Sequence, residues 1–253
     1  MAGEIIKTKG IVLAIHPWSR TSHVVAWLTP DHGCVNTLVK GAVRPKSAFL
    51  GQYDLFYACD LLYYAHASGS DLHALREVVP VNLRDPLRGR WRETALAGYG
   101  AALVRELAPP GGEASAWYAA FDRFLDALVP VDTPSANIED ADESRARRFA
   151  ALIQLEMQFL RLGGFAPDLT RPPASAATTD AWTPFALDHG RFGEGTRTVR
   201  LSRDAVQALL RPDARTVSLK AKEDAVRFLG VFLSYHLDTP PDLRRTVVQM
   251  LSR

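Results

Sequence analysis

Short apolar runs rich in β-branched and aromatic residues fill the N-terminal third of the chain and predict β-strands. Glycine, proline and serine residues separate the runs, as is typical of a small barrel or sandwich. The predicted strands cover residues 5–15, 23–28, 34–40, 53–64 and 71–79. Five strands within about eighty residues match the size and strand number of an OB-fold, a small five-stranded β-barrel.

After Asp85-Pro86 the apolar residues recur at helical spacing, so the prediction changes from strands to helices. Aspartate caps helix N-termini and proline suits the first helical position, and we therefore expect the first helix to begin here. The helical pattern covers about residues 86–108, 117–128, 143–162, 202–210 and 218–237, and a last helix is expected to begin at Thr239.

The whole pattern predicts an α+β chain with two domains. An N-terminal five-stranded OB-fold β-barrel would occupy residues 1–82, and an α-helical domain would occupy residues 83–253. An irregular, proline-containing insert interrupts the helical domain at about residues 165–200, with brief strand candidates at 185–187 and 198–201.

Composition narrows the class of protein only a little. Of the 253 residues, 47% are hydrophobic and 23% are charged, which is ordinary for a globular protein. No apolar run approaches the roughly 20 residues of a membrane-spanning helix, and no signal-peptide pattern opens the chain, so we expect a cytoplasmic protein. The formal net charge is only +2, and any site for a polyanion must therefore come from local placement of cations.

One cationic segment stands out within the predicted barrel. Lys40 ends a predicted strand, and Arg44 and Lys46 flank a proline in the loop that follows. Three cations on a tight turn can follow a phosphate backbone, although in an arbitrary protein a solvated polar hairpin is the more frequent explanation. Arg20, in an earlier turn, would lie on the same rim if the strands close into a barrel.

Aromatic residues concentrate just after this segment, and they have two readings. The aromatic residues are Tyr53, Phe56, Tyr57, Tyr63 and Tyr64. Exposed, they would offer stacking surfaces to unpaired bases. Because alternate side chains of a strand face opposite ways, their clustering favours several of them lying in the core.

Catalytic motifs are not found, and we do not expect an enzyme. The chain has no Walker-type phosphate loop and no nucleophile-elbow motif, and its histidines never pair at helical metal-ligand spacing. An acidic run at residues 139–143 has enough carboxylates to hold a divalent cation, but a solvated loop is the simpler interpretation. Arg145, Arg147 and Arg148 follow this run, and ion pairs with its acids explain them most simply.

The chain as a whole resembles the RecO family of bacterial recombination mediators. The segment Lys40-Gly-Ala-Val-Arg-Pro-Lys-Ser47 is similar to the family's loop of Lys/Arg-Gly-Ala-x-Arg-x-x-Ser. The other segments that carry the resemblance are Lys9–Leu13, Ser22–Val25, Thr29–Gly33, Leu155–Pro167 and Val226–Leu237. The resemblance spans nearly the full length and is strong only in the barrel.

The resemblance implies an OB-fold domain, a helical domain and a set of partners. It implies binding to single- and double-stranded DNA, ATP-independent annealing of complementary strands, and binding to the acidic C-terminal tail of single-strand-binding protein. With the partner protein RecR, such a protein helps load RecA onto DNA coated by single-strand-binding protein. Lys40, Arg44 and Lys46 are the DNA contacts that the resemblance implies, and Arg20 is a lesser candidate.

The chain departs from the family at one place. Many members hold a zinc ion with four cysteines in the insert, but the corresponding stretches here, residues 169–175 and 185–190, contain none. Asp188 and His189 do not replace four thiolates. We therefore expect a zinc-free protein without a cofactor, and an insert that is mobile because only packing orders it.

Three alternatives remain open from the sequence. An OB-fold also suits an RNA-binding or ribosome-associated factor, which would read 2′-hydroxyl groups. A nuclease would use Asp140 and Asp142 with magnesium. An adaptor would act through proteins alone and would not bind nucleic acid.

Overall fold

The computed structural model describes residues 4–66, 71–108, 112–129, 141–170, 182–237 and 242–252. The chain divides into two compact units between Val129 and Pro130. We call them the barrel unit and the helical unit. The first unit contains two helices together with the barrel. The boundary predicted at residues 82/83 lies within this unit, between its strands and its helices.

Five strands close into a ring in the barrel unit, which confirms the predicted OB-like architecture. The strands are β1 (Glu4–Ser19), β2 (Ser22–Thr29), β3 (Gly33–Val39), β4 (Ala58–Ala65) and β5 (Leu72–Asn82). Their order is β1-β2-β3-β5-β4, and β4 pairs back onto β1. Only the β3–β5 pair is parallel. Three of the four antiparallel pairs join consecutive strands, and the fourth, β1–β4, closes the ring.

Alternate residues of the strands fill the inside of the barrel. Trp27 is fully buried there, and its indole Nε1 donates a hydrogen bond of 2.8 Å to Thr37 Oγ1, so no polar group is left unsatisfied. Gly10 of β1 lies against this core, where an added Cβ would stand 2.5 Å from Leu61 Cδ1 and 3.2 Å from the Trp27 ring. Only glycine lets β1 pass so close to the indole.

The strand predicted over residues 53–64 is wrong in its first part, because β4 begins only at Ala58. Phe56 has a positive φ of 67°, a left-handed conformation that ends any extended run. Its N–H instead donates to the carbonyl oxygen of Val12 at 3.0 Å. Phe56, Tyr57 and Tyr63 are buried, Tyr53 is partly buried and Tyr64 is 37% exposed, which confirms that most of these aromatic residues belong to the core.

The helices of the barrel unit are α1 (Trp91–Leu107) and α2 (Ser115–Leu128), preceded by a 3-10 turn at Asp85–Leu87. The predicted capping of a long helix by Asp85 is therefore wrong. Asp85 lies inside the 3-10 turn, and the residue before it, Arg84, has a left-handed φ of 49°. The chain leaves the helical conformation at Arg90, which has a φ of −122° and a ψ of 89°, so α1 begins only at Trp91.

Arg84 also joins α2 to the barrel. Its side chain is buried, and Nε donates to Asp126 Oδ1 at 2.9 Å while Nη1 donates to the carbonyl oxygen of Phe56 at 2.9 Å. A third bond joins Nη2 to the carboxylate of Asp122. The two non-glycine residues with positive φ in the described chain, Phe56 and Arg84, are thus linked to each other.

The described part of the helical unit contains four helices and a small antiparallel sheet in the order β7-β6-β8. Its elements are α3 (Ala141–Leu162), β6 (Thr183–Ala186), β7 (Arg191–Phe192), β8 (Thr198–Leu201), α4 (Arg203–Leu210), α5 (Leu219–His236) and α6 (Leu243–Leu251). None of the described helices is long and apolar enough to cross a membrane.

The second half of the predicted insert forms this sheet and packs on α5. Phe185 of β6 lies edge-on to Phe228 and Phe232 of α5, with ring centroids 5.1 and 6.1 Å apart. Residues 171–181 of the insert, and the predicted start of the last helix at Thr239, lie outside the described residues.

A buried ion pair holds three helices of this unit together. Glu156 of α3 is fully buried, and Arg244 of α6 donates to its two carboxylate oxygens at 2.7 and 2.9 Å. Arg244 also donates to the carbonyl oxygen of Val226 in α5 at 2.8 Å. The guanidinium passes so close to Gly230 of α5 that a Cβ there would collide with it.

Candidate nucleic-acid interface

The β1–β2 hairpin turn and the loop after β3 meet at one end of the barrel. The backbone N–H of Gly41 donates to Ser22 Oγ at 3.2 Å, and the N–H of Val43 donates to the carbonyl oxygen of Thr21 at 3.4 Å. These bonds fasten the start of the β3–β4 loop to the hairpin. The predicted rim, on which Arg20 and the cationic loop lie side by side, thus has a physical basis.

The loop itself is a succession of tight turns. The N–H of Arg44 donates to the carbonyl oxygen of Gly41 at 3.1 Å, and the N–H of Ser47 donates to the carbonyl oxygen of Arg44 at 2.9 Å. Gly41 has a φ of +68°, and an added Cβ would stand 3.2 Å from Arg44 Cδ. Glycine here allows the turn and leaves room for the Arg44 side chain.

The structure brings two of the four predicted cations into one cleft. Lys40 and Arg44 line a cleft of about 470 Å³ between the loop and the hairpin. The remaining lining residues are Trp18, Ser19, Thr21, Ser22, Leu38 and Gly41. Arg20 and Lys46 are exposed nearby, on the hairpin turn and further along the loop, and neither lines the cleft.

The charges of this region are not neutralised by neighbouring acids. Among the residues that the structure describes, no carboxylate forms an ion pair with Arg20, Lys40, Arg44 or Lys46. Exposed cations of this kind are accompanied in water by mobile counterions. A polyanion can therefore take their place without first breaking an ion pair.

The acidic run of the sequence does not form a comparable site in the described part of the chain. Asp142 accepts a 2.9 Å ion pair from Arg145, which confirms the simpler interpretation for that pair. Asp140 lies outside the described residues. The described residues contain no group of three or more side chains able to hold a metal ion.

The residues at the family's zinc position have other bonds. Asp188 Oδ2 accepts two hydrogen bonds of 2.8 Å from the backbone N–H and the hydroxyl of Thr196. These bonds lower the pKa of the Asp188 carboxyl and close the loop between β6 and β8. Both cysteines lie in the barrel unit, where burial raises the pKa of Cys34 and raises that of Cys59 to about 12.

The helical unit contains a second charged feature, which the sequence did not reveal and whose charges are of both signs, since Glu223 and Asp242 are part of it. A groove of about 1310 Å³ runs along α5, α6 and β8. Its lining includes the exposed arginines Arg197 and Arg245 and the apolar residues Val231 and Val248. The arginine-rich stretch at residues 197–222 was visible in the sequence, but among its cations the described residues that line the groove include Arg197 alone.

Two family models match the chain. The model described as "Recombination protein O N terminal" matches residues 1–84, and the model described as "Recombination protein O C terminal" matches residues 88–245. The matches together cover nearly all of the chain, including the barrel, the insert and most of the helices.

Several full-length relatives carry the name DNA repair protein RecO. The protein of Anaeromyxobacter sp. (strain K) is 29% identical over 247 residues, 92% of this chain and 91% of the relative. The protein of Salinibacter ruber is 27% identical over 260 residues, 98% of this chain and 95% of the relative. The chain therefore belongs to the RecO family, whose members are non-enzymatic recombination mediators in DNA repair.

Proposed function

We propose that this protein binds single- and double-stranded DNA at the open end of its barrel and anneals complementary strands there. The observation that carries the proposal is the loop from Lys40 to Arg44, which is fastened to the β1–β2 hairpin and carries cations without an acidic partner. Lys46 and Arg20 extend the cationic surface on either side.

The proposed mechanism is positional. Cations that neutralise phosphates of two strands lower the repulsion between the strands, while the base edges remain free to pair. Binding of this kind is steeply salt-dependent and has little sequence preference, because phosphate contacts carry no sequence information. The protein makes and breaks no covalent bond and needs no ATP.

Membership of the family supports a set of proposed partners. We propose that the protein acts on DNA in the cytoplasm and, with RecR, helps load RecA onto strands coated by single-strand-binding protein. The acidic C-terminal tail of that protein would bind the groove of the helical unit. An apolar floor with Val231 and Val248 and a rim with Arg197 and Arg245 suit a peptide that presents both carboxylates and apolar side chains.

The proposal is tested by annealing complementary strands coated with single-strand-binding protein, without ATP. We expect the protein to accelerate annealing, and acceleration should fall as salt rises. Absence of acceleration would contradict the proposal. Competition between single-stranded DNA and RNA of equal length distinguishes the RNA-binding alternative, since an RNA reader would prefer the strand with 2′-hydroxyls.

A further inference from the structure

A large aromatic side chain stands exposed beside the two cations of the cleft. Trp18 is 63% exposed at the end of the β1–β2 hairpin and lines the cleft together with Lys40 and Arg44. Trp27 and Trp117 of the same unit are buried, at 0% and 5% exposure. Tryptophan is enriched at interfaces, because its indole combines a large apolar face with a polar N–H group.

The backbone presents Trp18 by means of a bulge. Pro17 pairs with His23 and Ser19 pairs with Ser22, so β1 has one residue more than β2 between these pairs, and that residue is Trp18. A bulge re-aims the side chain of the extra residue away from the regular alternation. Trp18 is thereby excluded from the barrel core and made available on the hairpin.

We propose that Trp18 is a stacking platform for an unpaired base of single-stranded DNA, whose neighbouring phosphates are held by Lys40 and Arg44. This inference rests on the proposed function and names the part of the nucleic acid that the cleft takes. The volume of about 470 Å³ lies within the range of roughly 300–1,000 Å³ of small-ligand clefts. The indole offers a π-face to the base, and the cations offer charge to the backbone.

This arrangement distinguishes single-stranded DNA from a duplex. In a duplex the bases are stacked on one another and their faces are inaccessible, so Trp18 contributes to binding only when a base is unpaired. Stacking covers the face of a base and leaves its Watson–Crick edge open. A strand held in this way can therefore still pair with a complementary strand, as annealing requires.

The test compares two single strands of equal length, one with ordinary bases and one made of abasic sites, by fluorescence anisotropy at fixed salt. We expect Trp18→Ala to weaken binding of the ordinary strand about five- to tenfold. Binding of the abasic strand should change by less than about twofold, because its phosphates still meet the cations. Trp18→Phe should retain most of the affinity for the ordinary strand.

Trp91 provides the matched control. It is 61% exposed in the same unit but lies outside the cleft, with the guanidinium of Arg92 4.5 Å from its ring centroid. Trp91→Ala should leave the affinity for both strands unchanged. Equal loss for both strands in Trp18→Ala would overturn the stacking role and leave Trp18 a support of the loop, and no loss for either would remove it from the site.

A second measurement does not depend on the alanine variant being folded. In a Trp91→Phe/Trp182→Phe background, Trp18 is the exposed indole among the residues that the structure describes. Ordinary single-stranded DNA should quench its fluorescence and the abasic strand should not, and equal responses would contradict stacking. If the unaltered protein binds neither strand nor duplex, the proposed function itself fails, which is a separate outcome from intact binding without a contribution of Trp18.

Discussion

The cations at the end of the barrel differ in their surroundings from those cations of the helical unit that form ion pairs. Lys40 and Arg44 stand in a cleft with no carboxylate paired to them in the described chain, whereas Arg244 is bonded to the buried Glu156 and Arg227 to Asp224. The sequence shows arginines and lysines in both regions. Their pairing, which only the fold determines, separates cations that hold the protein together from cations that are available to DNA.

The difference has a simple energetic reason. A guanidinium that already donates to a carboxylate must break that ion pair before it binds a phosphate, and a buried one is also shielded from any polyanion. An exposed cation without a partner gives up only mobile counterions, whose release favours binding. The four predictions below test this distinction, beginning with the largest expected effect.

Removal of the buried cation of the helical unit should cost stability. Arg244→Ala leaves the fully buried Glu156 carboxylate without its bidentate donor, and the free energy of unfolding should fall by about 3–5 kcal/mol. Urea denaturation measures the loss. The neighbouring Arg245 is exposed, and Arg245→Ala should change the free energy of unfolding by less than about 0.5 kcal/mol. Equal losses in the two variants would show that the ion pair does not hold the helices.

Charge reversal at the barrel loop should weaken DNA binding and leave stability nearly unchanged. Arg44→Glu with Lys46→Glu should weaken DNA binding by about tenfold to a hundredfold at low salt, and lower the salt slope by about 0.7 for each lost contact to a single strand. Both side chains are exposed, so the free energy of unfolding should change by less than about 0.5 kcal/mol. Anisotropy titrations at several salt concentrations measure the affinity.

The control for charge reversal lies in the helical unit. Lys220 and Arg227 both bond to Asp224, and reversing both to glutamate makes the same change in net charge. If that variant loses DNA affinity to the same extent, net charge and not the barrel loop determines binding. Unchanged affinity in the Arg44/Lys46 variant would remove the loop from the DNA site.

Much of the fold could be predicted from local pattern. The five strands and most helices were predicted near their observed bounds, because burial requires apolar residues at strand or helix spacing. The start of β4 was predicted too early, because the amino-acid types at this place do not reveal the backbone conformation. Phe56 has the apolar character of a strand residue but a left-handed φ, which is maintained by a hydrogen bond to Val12, far away in sequence.

The candidate site was predicted only in part, because some of it depends on contacts between segments that are far apart in sequence. The cationic loop was visible because Lys40, Arg44 and Lys46 are close in sequence. The contribution of Trp18 and the closing of the cleft depend on bonds from the loop to Thr21 and Ser22, which join separate segments. No local signal marks which of the five tryptophans of the chain lie outside a core, or that Trp18 lines the cleft.

A paired cation also lies in the barrel unit, so cations differ in their pairing within one unit as well as between the two. Arg84 donates to Asp122, Asp126 and the carbonyl oxygen of Phe56. Arg84→Lys keeps the charge but loses the planar, multiple donation, and the free energy of unfolding should fall by about 1–2 kcal/mol. DNA affinity measured well below the unfolding temperature should not change.

Thermal unfolding with calorimetry, and anisotropy at low temperature, test these two outcomes for Arg84→Lys. Arg76 is exposed on β5 in the same unit, and Arg76→Lys is the control that should leave stability unchanged. A loss of DNA affinity in folded Arg84→Lys would contradict the division between paired and unpaired cations.

The smallest expected effect is the pH dependence of stability that arises from two histidines, one in each unit. Burial lowers the pKa of His73, which stacks on Tyr63, and of His236, which lies against Phe232. As the pH falls, the unfolded chain takes up protons at these residues near their ordinary pKa of 6.5. The folded chain takes them up only at a lower pH, because its pKa values are lowered. Stability is therefore full above the ordinary pKa and declines as the pH falls through it.

Unfolding between pH 7.5 and pH 5.5 measures this decline in both units, in a range where most carboxylates remain ionised. His236→Phe removes the titrating group but keeps an aromatic ring on Phe232, so the stability of the helical unit should vary less with pH than in the unaltered protein. His16 is exposed on β1, and His16→Gln should leave the pH dependence as it was. An unchanged pH dependence in His236→Phe would show that the proton taken up on unfolding binds elsewhere, and the comparison of the two units would then rest on their cations alone.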